Sequence, residues 1–496
     1  MRNWKDTFSG VVIFFCLSFG VKGQDATAIR IDTGRVYQAI DNFGASDAWS
    51  CQFIGGWPEA KKNSIADMLF SMDTLKDGAP KGIGLSLWRF NIGAGSAEQA
   101  AASGIRDEWR RAADMLNGGS AGQLWFLGAA RQRGVRQFLG FLNSPPVGLT
   151  RNGKAYAATA GQSNIDPSRY LAFAAYTVHV VKHIKKAAGI DLDYLSPVNE
   201  PQWDWSDGGQ EGCPYSDEEV YRVVKALSRA FRAGGVHTRI LIPEAGHLKY
   251  LLTDGDKPGK GNQIDAFFRK SSPFFVGGLY NVSKVAAGHS YFSTSPLQAG
   301  IELRRKLAVQ IDSQGVGGLR YWQSEYCILG DNDGEINGNK RDTGMDAALY
   351  LARVIHTDLV EGRAAAWQWW LAISPYDYKD GLIYVDRQKG DGNYYDSKKL
   401  WALGNFSRFV RPGMKRVEVT LRGGTDSLLA SAYKDGASKV VVFVNCSHAD
   451  RVVDGGLNGT MYTTSATENL QKHVISWGEK VVVPARSVST LVMKGS

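Results

Sequence analysis

Cysteine is scarce, with five residues in a chain of 496. Cys16 falls in an apolar stretch near the start and reads as filler there. The other four, Cys51, Cys213, Cys327 and Cys446, form no C-x-x-C pair, which argues against zinc ribbons and thioredoxin-like chemistry. Their even number permits disulfides in three pairings without implying any, and four thiols cannot be the main staple of so large a chain. Long apolar runs are also missing. The run GVVIFFCLSFGV (10–21) has 12 residues, short of the roughly 20 a membrane helix needs, and no later segment is better placed. A strong charge of one sign is absent: the net charge is +9, and the excess is scattered in pieces such as HIKK (183–186) and ELRRK (302–306), which suit solvated helix faces and not a nucleic-acid footprint. No Gly-X-Y period, low-complexity tract or repeat of 20–50 residues is visible. Nucleotide and metal motifs fail as well. GDKPGKG (255–261) has the wrong spacing for a phosphate loop, no G-x-G-x-x-G follows a strand, and His179 and His183 lack an intervening Glu and a third ligand. No cofactor or metal is expected.

What is present is a globular composition, 44% hydrophobic and 22% charged, enriched in glycine (57) and aromatics (11%), the material of tight loops around stacking surfaces. Arg2 and Lys5, the short apolar run and VKG before Gln24 read as a secretory signal over 1–23, cleaved near Gly23, so an exported, secreted or periplasmic protein without a membrane span is expected. From 39 to 410, short β-branched or aromatic runs alternate with stretches of helical period. Eight runs can be placed, at 39–49, 85–93, 136–144, 191–200, 238–246, 284–292, 318–327 and 364–374, and their spacing predicts an α/β fold, a (β/α)8 TIM barrel. Helix signals fall between them: Asp166 and Pro167 as N-cap and first residue, Ser216 with Glu219 three residues on, and Gly234–Gly235 as a stop. After RPGMK (411–415) the pattern turns to RVEVTLR, LLASAYK, KVVVFVNC, KVVVPAR and VSTLVM, which predicts a β-sandwich side domain over 411–496. The early strand within 24–38 is expected to join it. Sequons occur at Asn281, Asn405, Asn445 and Asn458.

In such a barrel the chemistry sits at the carboxyl ends of the strands. Glu200 closes the fourth run, before Pro201, and Glu325 closes the seventh. A single rim Glu is more often a surface or salt-bridge carboxylate. Two converging on an aromatic-lined mouth are the equipment of glycosidic cleavage, one to protonate the leaving oxygen and one to attack or to activate water. Arg89 and Tyr291, at the ends of the second and sixth runs, are the expected donors to Glu325, and Asn199 is placed to bond the sugar hydroxyl beside the reacting carbon. Asp47, Asn143 and His289 are further candidates for sugar hydroxyls, with a structural histidine an equal alternative for His289. Trp49, Trp203, Trp205 and Trp370 lie at or past strand ends, where indoles stack on sugar rings.

The fragments SPVNEP, RYWQSEY and WALGNFSRFVRPG resemble glycoside hydrolase family 30, over essentially the whole chain after the leader. Within it, FNIGAGS, NSPP, NEPQWDWSDGGQEGC, QSEY and WQWWLAIS are most similar to the endo-β-1,6-galactanase-like branch, while NSPPVGLT (143–150) lacks the bulky aromatics expected there. The resemblance implies Glu200 as acid/base and Glu325 as nucleophile of a retaining, secreted glycosidase acting on arabinogalactan side chains as a monomer. Alternatives are another β-glycan (xylan, β-1,6-glucan), an exo-acting β-glycosidase, or a carbohydrate-binding protein without turnover.

Overall fold

The computed structural model describes residues 26–314, 316–423 and 425–493. The segment read as an export signal, with Cys16, lies outside the described residues. Among those described, no helix is long and apolar enough to cross a membrane, and Cys51, Cys213, Cys327 and Cys446 are free thiols, so no disulfide joins them.

Strand β1 (Thr27–Ala39) precedes the barrel. The eight runs become β2 (Asn42–Ser46), β3 (Leu87–Asn91), β4 (Gln137–Phe141), β5 (Tyr194–Ser196), β6 (Arg239–Ala245), β7 (Val282–His289), β8 (Arg320–Tyr326) and β9 (Ala366–Ser374). They pair in parallel and in order, and β9 bonds both β8 and β2 to close the ring. Burial on two faces explains their composition: all five residues of β3 (LWRFN) are buried, one set filling the barrel and the other under the helices. β5 is short because Pro197, lacking an N–H, follows its third residue. The helix Asp217–Gly234 starts with a capping box, Ser216 and Glu219 bonding each other's backbone, and stops at Gly235 in the left-handed conformation. Asp166 caps a short 3-10 turn before the helix Tyr170–Ala188. A pair not foreseen in the sequence, β10 (Gly381–Val385) and β11 (Tyr394–Asp396), extends the sheet beyond β9.

The side domain holds β12 (Lys415–Arg422), β13 (Leu428–Asp435), β14 (Ser438–Asn445), β15 (Arg451–Asp454), β16 (Gly459–Thr464), β17 (Gln471–Ile475), β18 (Val481–Val483) and β19 (Ser487–Met493). Five correspond to the runs picked out above; β15, β16 and β17 are additions. With β1 they form one nine-stranded sheet, in the order β17-β16-β19-β14-β13-β12-β1-β15-β18, that curls over a core of Ile29, Val417, Phe443, Val453, Val481 and Leu491. This layout is the β-sandwich expected beside the barrel. The two modules meet at the helix Lys398–Ser407, where Asn405 Nδ2 donates to Tyr462 O (2.9 Å) and Thr490 Oγ1 (3.1 Å). Two sequons are thereby unusable in the folded protein: Asn405 and Asn445 are fully buried with their amides donating to backbone or hydroxyl oxygens, whereas Asn458 is exposed.

Candidate active site

Regular alternation along a strand sends successive side chains to opposite faces, so a strand end normally offers the barrel mouth every second residue. Three irregularities at the carboxyl rim break that rule. The β6–β7 register shifts between Pro243 and Ala245, at Glu244, whose φ is 55°. The β7–β8 register shifts so that Gly288 pairs Gln323 but His289 pairs Glu325, leaving Ser324 as the extra residue. The β2–β9 register shifts between Ala45 and Ser46, leaving Trp370 extra. Bulges of this kind re-aim side chains. Here consecutive residues Ser324 and Glu325 both reach the same charge cluster, Ser324 Oγ bonding Glu244 and Glu325 bonding Arg89. Trp369 keeps its indole N–H on Asp380 O (2.6 Å) outside the barrel, while Trp370 is half-buried at the mouth.

Glu200 follows β5 with φ 45°, a left-handed backbone that costs roughly 1 kcal/mol or more for a non-glycine residue. It is fixed on both sides: its N–H donates to Glu244 O (2.9 Å), and its carbonyl accepts from Trp203 N (3.2 Å) and Trp205 Nε1 (3.0 Å). The carboxyl accepts from His289 Nδ1 at 2.8 Å, and His289 Nε2 bonds Glu244 Oε2 at 3.0 Å. Glu325 is held by Arg89 Nη1 and by Tyr291 OH (3.0 Å), and Arg89 Nη2 reaches Asn199 Oδ1 at 3.1 Å. The Arg89 guanidinium lies 3.7 Å from the Phe141 ring centre. One oxygen each of Glu200 and Glu325 and a nitrogen of His289 lie within 4.8 Å of one another.

Three carboxyl groups thus share one buried site with two cations. Burial alone would raise the Glu244 carboxyl, but His289, Arg89 and Ser196 outweigh it and hold the group down at about 2. Burial would strip the charge from His289; the carboxylates of Glu325, Glu200 and Glu244 raise it instead to about 10, so it is an imidazolium at neutral pH. Glu200 goes the other way. Burial, helped by repulsion from Glu325, raises its carboxyl above the ordinary range against the pull of His289. Arg89 and His289 thus face three carboxyl groups, and of these Glu200 is the one whose neutral form burial favours. Removing the imidazolium with His289→Gln takes away the cation that favours ionised Glu200. Its carboxyl should rise further, and the alkaline limb of kcat/KM against pH should move up by about one unit. A limb that stays put or moves down would show that His289 does not set the acid.

The structure brings Glu200, Glu325, Arg89, Asn199 and Tyr291 together as the spacing predicts, and it revises two of the other assignments. Asp47, expected to meet a sugar hydroxyl, is fully buried with one oxygen on Asn91 N (2.7 Å) and the other on Gln123 Nε2 (3.1 Å), so it holds the β2 and β3 ends together. His289 spends both ring nitrogens on Glu200 and Glu244, leaving none for substrate. Trp370 lies at the mouth beside Arg89, with Trp49 buried edge-on against it at 5.3 Å. Trp203 is half-buried between Tyr250 and Phe292, its indole so close to Gly246 that a Cβ there would come within 2.4 Å. Trp205 is half-buried beside Glu200. Asn143 is buried with both amide atoms unbonded within the protein, a pattern that a ligand hydroxyl would satisfy. Glu244 was missed, although TRILIPEAG carries it two residues before its end; only the bulge turns it inward.

A family model described as O-glycosyl hydrolase family 30 matches residues 26–384. Glucuronoxylanase XynC of Bacillus subtilis is 25% identical over 358 residues, spanning 67% of this chain and 69% of that protein. A conserved exported protein from Bacteroides fragilis superposes with a TM-score of 0.86 at 34% identity, over 94% of this chain and 100% of that one. The catalytic domain of a GH30 xylanase C from Talaromyces cellulolyticus (TM-score 0.67, 21% identity, 94% and 99% covered) and an endo-β-1,6-glucanase (TM-score 0.67, 16% identity, 95% and 94% covered) share the fold. With two carboxyls meeting at the barrel rim, one raised by burial and the other held by arginine and tyrosine, on a chain whose eight barrel strands all fall inside that model, the conclusion is that the chain belongs to glycoside hydrolase family 30, a family of retaining hydrolases of β-glycosidic bonds.

Proposed function

We propose that Glu200 is the acid/base and Glu325 the nucleophile of a retaining endo-β-1,6-galactanase acting on arabinogalactan side chains. The observation that carries the catalytic part is the short separation of the two carboxyls, with oxygens inside 4.8 Å of each other. Direct attack needs carboxyls about 5–5.5 Å apart, whereas an intervening water needs roughly 6.5–9.5 Å. In the first step a Glu325 oxygen bonds the anomeric carbon as the glycosidic C–O bond breaks, and the Glu200 proton goes to the departing oxygen. Losing that proton leaves Glu200 as a carboxylate beside the His289 imidazolium, which stabilises it for the second step. There Glu200 takes a proton from water, the hydroxide oxygen bonds the anomeric carbon, and Glu325 departs.

For the substrate, support comes from the loop that follows Glu200. A β-1,6 linkage has an extra rotatable bond, so its chain is held better by stacking than by fitting a stiff ribbon, and this loop sets Trp203 and Trp205 beside the acid. The resemblance of NEPQWDWSDGGQEGC points the same way. Export through the leader at 1–23 would place the enzyme where plant-type polysaccharide is met. Proton NMR of the first product should show the β-anomer, and chromatography on linkage-defined glycans should show short β-1,6-galacto-oligosaccharides from de-arabinosylated type II arabinogalactan. An initial α-anomer would sink the roles. Strong cleavage of xylan or β-1,6-glucan with no galactan products would move the substrate to another β-glycan.

A further inference from the structure

Glu211 is a carboxylate the mechanism does not use, and its setting is unusual. It is fully buried and makes no salt bridge among the described residues. Burial raises its carboxyl to about 7. Its partners all donate, and all come from the loop after β3: Ala94 N (3.0 Å) on one oxygen, Ser96 N (3.3 Å) and Ser96 Oγ (2.5 Å) on the other. Ser96 Oγ in turn accepts from Ala112 N (3.0 Å). A carboxylate suits this cradle because it accepts everywhere and carries no N–H needing a partner of its own.

The next residue explains what the clamp holds. Gly212 donates its N–H to Ala155 O (2.8 Å), and a Cβ there would lie 2.4–2.6 Å from three atoms of the Trp205 ring system, Cδ2, Cε3 and Cγ. Similar distances to several ring atoms mean the indole face rests on the Gly212 backbone, an approach only glycine allows. Trp205, itself at φ 46°, bonds the Glu200 carbonyl through its indole N–H. A continuous path therefore runs from the β3 loop through Glu211 and Gly212 to Trp205 and the backbone of Glu200.

We propose that Glu211 is a positioning residue for cleavage of polymer: by anchoring its loop to Ala94 and Ser96 it holds Gly212 as the floor under Trp205, and so fixes the indole as the stacking surface for the sugar on the leaving side of Glu200. The inference rests on Glu200 being the acid, since that assignment defines the leaving side. It identifies QEGC as a device for acceptor-side subsites. Two substrates distinguish this from a merely structural role: the β-glycan polymer that the wild type cleaves fastest, and an aryl β-glycoside whose phenolate leaves without occupying a sugar subsite.

Glu211→Gln keeps the size but turns an N–H toward the Ala94 or Ser96 donors. It should lower kcat/KM on the polymer about tenfold or more relative to the aryl glycoside, chiefly through KM. Gly212→Ala, which leaves Glu211 intact and displaces the ring, should give the same bias. In a Trp205→Ala background the Glu211→Gln bias should vanish, because the two act through one surface. Equal losses on both substrates, or full additivity with Trp205→Ala, would overturn the proposal. If Glu211→Gln does not fold, Ser96→Ala removes one donor to Glu211, together with the acceptor of Ala112 N, and should show a smaller bias of the same sign; no bias there would equally count against it. A failure of the acid assignment shows separately, as a Glu200→Ala variant whose hydrolysis of the aryl glycoside does not respond to azide.

Discussion

Glu325→Ala should lose about three or more orders of magnitude in kcat while remaining folded, a loss of roughly 4 kcal/mol of transition-state stabilisation. The reasoning is geometric. Arg89 and Tyr291 fix Glu325 in one orientation, so truncation removes the attacking oxygen without giving another group a path to the anomeric carbon. The same truncation opens a space on that face. Azide should fill it and attack directly, restoring part of the turnover on an activated aryl β-glycoside and leaving an α-glycosyl azide, the inverted product, readable by NMR. Residual activity within about tenfold of wild type, or a β-azide, would remove Glu325 from the nucleophile's role.

Glu200→Ala should give the complementary pattern. On a polysaccharide, whose leaving oxygen must be protonated, activity should drop by about two to four orders of magnitude. With a phenolate that leaves unaided, the first step should survive and the glycosyl-enzyme should accumulate, because the base that activates water is gone. Azide, needing no base, should release it as the β-glycosyl azide, so the two variants yield opposite anomers from one substrate. The alkaline limb of kcat/KM on that substrate should also disappear, since burial and the Glu325 charge make Glu200 the group whose deprotonation ends activity on the alkaline side. An unchanged limb would assign it to another group.

The barrel was legible because parallel strands buried on both faces leave short β-branched and aromatic runs with turn residues around them; seven of the eight runs contain their strand, and β7 begins two residues before its run. Strand-end logic then singles out Glu200 and Glu325, which the structure brings together at the rim. What it could not supply was register. Glu244 lies in a run that was read as a strand, yet strict alternation says nothing of the shift at Pro243–Ala245 that admits it to the site. Asp47 differs for the opposite reason: proximity to a strand end is visible in the chain, but its bonds to Asn91 and Gln123 depend on how β3 and the helix Ala121–Gln132 come to lie beside β2. In the side domain, β15, β16 and β17 escaped because RVVD, GTMYTT and QKHVI carry too few apolar residues to mark a strand, being largely paired through backbone at the sheet's flanks. Glu211 stands in the chain as an ordinary member of the QEGC stretch; that it lies buried among donors from a loop more than 100 residues away is a tertiary fact.

Strand β1 pairs antiparallel with β12 from Ala28–Arg422 to Ala39–Lys415, and in parallel with β15. During translation it leaves the ribosome before either partner has been made, and the whole barrel must be synthesised while Ile29 and Ile31 wait without the core they will enter. Closing so long a loop makes this pairing a late event. The sheet acts as a clasp that shuts only on a finished chain. A fragment beginning at 411 would keep eight of its nine strands but expose the long edge of β12, with Val417, Val419 and Leu421 beside it, and edges of that kind recruit other chains. Supplying 26–39 as a separate peptide would be the way to cover that edge and recover a soluble sandwich.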